Sequence, residues 1–135
     1  MGQVVETNGA AAPIAGRKLF SGVGMLKSYL GFEALKNEVN ELPLAGRIYT
    51  KPKINKDNIS SAEFVVISST EVEDYSKEIG GLIPSQISGE GYYSWLEAPT
   101  FSDIISLKVE HMPNATLQEC IEAVFFYLEN DAFMD

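Results

Sequence analysis

Between Glu63 and Ser68 the chain runs Glu-Phe-Val-Val-Ile-Ser, a β-branched and aromatic stretch without glycine or proline. Such side chains suit the pleated surface of a sheet. Four apolar residues in succession leave no side for water, so the segment predicts a central strand covered on both faces. The rest of the chain must supply that cover. With 135 residues it is long enough to form one domain that buries roughly two-thirds of the surface exposed by its unfolded form.

Helical signals flank this strand. Phe32, Leu35, Val39 and Leu42 recur at helical spacing opposite Glu33, Lys36, Asn37, Asn40 and Glu41. They predict an amphipathic helix of about three turns, with Ser28 as its N-cap and Pro43 ending it. Near the C-terminus, Thr100 and Asp103 have capping spacing ahead of an apolar stripe of Phe101, Ile105, Val109 and Met112, and Pro113-Asn114 closes that helix. Thr116-Leu117-Gln118-Glu119 is a full capping box, opening a helix to about Asn130 whose apolar face carries Leu117, Ile121, Val124, Phe125 and Leu128, extended by Cys120 and Tyr127.

Further strands are predicted at Arg47 to Thr50 and Tyr92 to Leu96, with an exposed basic loop over Lys51 to Asn58. Glu71 to Glu78 reads as a short acidic helix stopped by Gly80-Gly81, and a turn-rich stretch follows from Pro84 to Gly91. Together these elements predict an α+β fold, a small β-sheet packed against about three to four helices with a C-terminal helical pair. Residues 1–24, rich in alanine and glycine, read as a flexible extension or leader, and residues 25–135 as a single domain opening near Met25.

Charge is divided unevenly along the chain. Residues 1–60 carry eight basic and five acidic side chains, whereas residues 61–135 carry fourteen acidic and two basic, within a total net charge of −9. Such a surface repels nucleic acid and anionic membrane and steers a basic protein toward itself. Neither a membrane-spanning apolar run nor a secretory signal is present, and a lone cysteine forms no internal disulfide, so a cytoplasmic location is expected.

The stretches Thr100-Phe101-Ser102-Asp103-Ile104-Ile105, Pro113-Asn114-Ala115-Thr116-Leu117 and Ala123-Val124-Phe125-Phe126-Tyr127-Leu128-Glu129-Asn130-Asp131-Ala132-Phe133 resemble an uncharacterised family of small bacterial domains encountered among candidate immunity proteins of toxin–immunity systems. A helix followed by a proline, as at Pro43, also sits near the start of such domains. The resemblance implies a cytoplasmic antidote that binds a toxin delivered by a neighbouring cell in bacterial competition, as in contact-dependent growth inhibition. No catalytic residue carries over from the family.

An antidote needs a surface, not chemistry of its own. Many toxins that cut nucleic acid are basic around the substrate groove, so an acidic antidote offers a substrate-like face. Glu71, Glu73, Asp74, Glu78, Glu90 and Glu97 are the candidate partner-binding carboxylates; alternatively they solvate the protein. Tyr93 and Trp95 are candidate anchors, because tyrosine and tryptophan dominate many interfaces. In an alternating strand they share one face, and Tyr92, Ser94 and Leu96 share the other. Phe126 interrupts a face otherwise occupied by Glu119, Glu122 and Glu129, so it is either covered by another segment or a binding residue.

Catalytic and metal-binding patterns are missing from the sequence. One histidine and one cysteine do not make a zinc site, no segment has an EF-hand pattern, and Gly22-Val23-Gly24 is too short for a dinucleotide fingerprint. No cofactor is therefore expected. The preferred expectation is a non-enzymatic immunity protein against a basic nuclease toxin. Two other readings stay open: an acidic adaptor or regulatory binding module, and a small hydrolase built on His111, Cys120 and a carboxylate.

Overall fold

The computed structural model describes residues 19–20 and 26–133. Apart from Leu19–Phe20, the stretch read as a flexible extension lies outside the described residues. A five-stranded antiparallel sheet has the order β1-β2-β4-β3-β7, formed by β1 (Leu19–Phe20), β2 (Lys27–Leu30), β3 (Gly46–Lys51), β4 (Glu63–Ser68) and β7 (Tyr93–Glu97). As its uninterrupted apolar run predicts, β4 lies at the centre. Tyr49 faces Val65 and Ile48 faces Val66 on one side of it, and Tyr29 faces Phe64 on the other. Phe64, Val65, Val66 and Ile67 are all buried.

Three helices cover one face: α1 (Phe32–Asn37), α2 (Ala98–His111) and α3 (Leu117–Asn130). Tyr29, Ile48, Phe64, Val66 and Leu96 from the sheet meet Phe32, Leu35, Phe101, Ile104, Ile105, Cys120, Ile121 and Val124 from the helices. A separate hairpin, β5 (Tyr75–Glu78) with β6 (Gly81–Pro84), belongs to the cover on the opposite face. There Tyr49, Val65 and Ile67 pack with Ile83, Ile87 and Tyr92. The fold is thus α+β, with a C-terminal helical pair and a sheet buried on both sides.

Several local expectations give way to pairing. Ser28 is no helix cap: it lies in β2 opposite Val65, because strand pairing with β4 claims residues 27–30. Gly31 caps α1 instead, at φ +92°, donating its N–H to the Ala62 carbonyl; a Cβ there would collide with the Ser60 carbonyl. The first helix is also shorter than its apolar spacing suggests, since after Asn37 the chain tightens into a 3₁₀ turn at Val39–Glu41.

The acidic segment read as a short helix is instead a 3₁₀ turn at Ser69–Glu71 followed by β5. Ile79 and Gly80 make the hairpin turn, and Gly80 is pressed so closely on the Tyr92 carbonyl that no side chain fits there. Tertiary contact has overridden helical propensity. Helix α2 likewise starts two residues before Thr100, with Pro99 in its first turn and no side-chain cap, so Thr100 and Asp103 do not cap it. Its inward arc is Ala98, Phe101, Ile104 and Ile105, while Val109 and Met112 of the predicted stripe are exposed. The capping box of α3 forms as read: the Thr116 side chain accepts from the Glu119 N–H, and the Glu119 carboxylate accepts from the Thr116 N–H.

Candidate partner-binding surface

The predicted carboxylates lie on the hairpin and on the segments that lead into and out of it. Between residues 69 and 97 the chain carries Glu71, Glu73, Asp74, Glu78, Glu90 and Glu97 against Lys77 as the single basic residue. Backbone geometry ties their segments together. The Asp74 carbonyl accepts from the Ser85 N–H at 2.9 Å, the Glu71 carbonyl accepts from the Gln86 side-chain amide, and the Glu78 carboxylate accepts from the Gly89 N–H at 3.0 Å. Glu73, Asp74, Glu90 and Glu97 are exposed, with Glu71 and Glu78 half-buried.

Exposed apolar side chains stand on the hairpin and beside it. Leu44 and Ile79 are 95% and 97% exposed, and Tyr75 and Leu82 are more than half exposed. A cavity of about 630 Å³ opens between the hairpin and the β3–β7 margin, where Leu44, Tyr75, Leu82 and Pro99 stand against Tyr49, Arg47 and Ser94. Arg47 is held by its own chain: its Nε donates to the Ser94 hydroxyl, and its guanidinium lies 3.8 Å from the Glu97 carboxylate. Burial, reinforced by Tyr75 and offset in part by Arg47, pushes the Tyr49 hydroxyl up to about 12, so it stays a neutral donor.

The other predicted residues are distributed differently. A β-bulge in β7 pairs Ile48 with Leu96 but Tyr49 with Ser94, leaving Trp95 as the extra residue. Strict alternation therefore fails, and Trp95 and Leu96 both reach the helix-side core. The Trp95 ring packs against Phe64 at 5.3 Å and Phe101 at 5.9 Å, away from the carboxylates. Phe126 lies half-buried on α3, again on the helical side. Tyr93 borders a small cleft with Glu78, Ile79 and Gly80 at the hairpin turn, next to the acidic group.

Sequence reasoning passed over Leu44, Tyr75, Ile79 and Leu82. A lone leucine beyond Pro43 has no periodic partner, and once the acidic segment is taken as a helix the facing strand Gly81–Pro84 goes unread. The usable signal was the Gly80-Gly81 pair between short segments, which is hairpin chemistry.

A second cavity, of about 680 Å³, lies on the helical side between Val39, Ile105, Val109 and Phe133. Cys120 is sealed in the core, and burial pushes its thiol up, away from the thiolate a nucleophile needs; His111 is exposed at the end of α2. Among the described residues no group of three or more histidine, cysteine, aspartate or glutamate side chains is placed to hold a metal ion. No described helix is long and apolar enough to cross a membrane.

A sheet backed by helices on one face and a β-hairpin layer on the other defines a small α+β fold. Residues 33–135 match the model described as domain of unknown function DUF7716, and the chain belongs to that family. No curated protein and no solved structure matches it.

Proposed function

We propose that this protein is a cytoplasmic immunity protein that binds a basic bacterial toxin, a nuclease domain by the chemistry of its surface, and neutralises it without catalysis. The observation that supports the reading is that residues 69–97, which include the β5–β6 hairpin, carry six carboxylates against one lysine together with the exposed apolar side chains Tyr75, Ile79 and Leu82. Opposite charge accelerates encounter, and desolvated apolar contacts then slow release. The likeness of the C-terminal helices to candidate immunity domains supplies the biological setting.

Co-purification from the native host, with mass spectrometry of the retained protein after washes at low and high salt, tests the proposal. A basic toxin domain captured at low salt and recaptured more slowly at high salt supports it. Capture of only a non-toxin regulatory protein contradicts it and favours an acidic adaptor.

A further inference from the structure

We infer that the cavity between the β5–β6 hairpin and the β3–β7 margin is the anchor point for a basic protein partner, and that its occupant is one apolar side chain flanked by lysine or arginine. The inference deepens the proposed function and rests on it for the partner's biological role. Four features of the cavity select this occupant.

Its walls carry apolar side chains open to solvent beside a few polar ones. Leu44, 95% exposed, has almost no internal contact to lose, and Leu82 keeps 58% of its surface open, so both offer apolar area for another molecule to cover. A positively charged occupant at the centre would meet the Arg47 guanidinium, which lines the cavity. A negatively charged one would meet Glu97, which lines the cavity, and Glu71, Glu73 and Asp74 lie on the segment between Ser69 and Tyr75, both of which line it as well. An uncharged apolar side chain avoids both penalties, and basic neighbours on the partner complement the surrounding carboxylates.

The geometry also accounts for the state of Arg47. Its bond to Ser94 and its approach to Glu97 give the guanidinium acceptors of its own, so an apolar group can cover it without leaving an unpaired charge. Tyr75, more than half exposed on β5, offers an aromatic wall to an entering ring.

A methyl-labelled NMR titration of the full chain with the blocked pentapeptide Lys-Lys-Trp-Lys-Lys tests the inference, compared with Lys-Lys-Gly-Lys-Lys and Glu-Glu-Trp-Glu-Glu. The expected result is saturable shifts of the Leu44 and Leu82 methyls with the first peptide. Binding should be about tenfold weaker for each control and for Leu82→Ser with the first peptide. Equal binding of the glycine peptide would reduce the site to plain charge attraction and overturn the inference. Shifts confined to Val109 and the Phe133 side of the helices, or no saturable shift in the low millimolar range, would overturn it as well. None of these outcomes depends on recovering a toxin from the host, so this inference and the immunity reading can fail separately.

Discussion

The Tyr92 hydroxyl donates a hydrogen bond to the Glu63 carboxylate, fastening the end of the hairpin layer to the central strand. The same carboxylate stands 3.4 Å from the Ser28 hydroxyl, and the Lys51 ammonium lies over the Tyr92 ring. One polar cluster thus joins β2, β4 and the approach to β7 across the rim of the second core.

Tyr92 is the outermost of three tyrosines whose ionisation opposes folding. Burial first, then the bond and charge of Glu63, hold its hydroxyl well above the usual tyrosine range, and burial pushes Tyr29 and Tyr49 up to about 12. A raised folded-state value means that the folded chain keeps a proton the unfolded chain has lost. The stabilisation is full below the ordinary value near 10 and drains away as pH rises through the folded values. Denaturant melts should therefore show stability level up to about pH 10 and falling from there toward pH 12. Tyr92→Phe should cost about 1 kcal/mol near neutrality and make that alkaline fall shallower.

Trp95 separates a packing role from a binding role. Its ring contacts Phe64 and Phe101 within the helix-side core, so Trp95→Ala should lower stability by about 3 kcal/mol in urea unfolding. Leu44→Ser, at an almost fully exposed position, should leave the same unfolding midpoint unchanged. Equal stability of the two variants would contradict the bulged register of β7.

The capping box gives a prediction at acid pH. Hydrogen bonds from the Thr116 backbone and side chain hold the Glu119 carboxyl below its ordinary value. Its contribution is present above the unfolded value and lost as pH falls through the folded one, so the benefit of Glu119 over Gln should shrink as pH falls below the ordinary carboxylate range and be gone once the folded carboxyl is protonated. Thr116→Ala should lower the melting temperature by a few degrees at neutral pH, measured by circular dichroism.

Reading the sequence succeeded where a local signal and the tertiary context agreed. The β4 run, the strand near Arg47 to Thr50 and the capped helix from Leu117 to Asn130 are such cases, because each has its own periodicity or end chemistry. It failed where partners far along the chain decide. Residues 27–30 carry no strong strand pattern and are extended because β4 pairs with them. Residues 75–78 are a strand because Ile83, Ile87 and Tyr92 build a second core for the hairpin to cover. The carboxylates of the candidate surface were legible as a charge run. Its apolar members were not, since Leu44, Leu82 and Tyr75 come to line one cavity only once the hairpin folds back beside β3 and β7.

The ionic-strength dependence of association with the partner captured from the host tests the central claim most directly. The wild-type chain and a Glu71→Gln, Glu73→Gln, Asp74→Asn variant would be compared by stopped-flow fluorescence. Steered encounter predicts a wild-type rate that falls steeply with salt, a variant about tenfold slower at low salt, and convergence of the two at high salt. Identical rates and identical salt slopes for the two proteins would contradict a partner-binding role for the acidic hairpin layer.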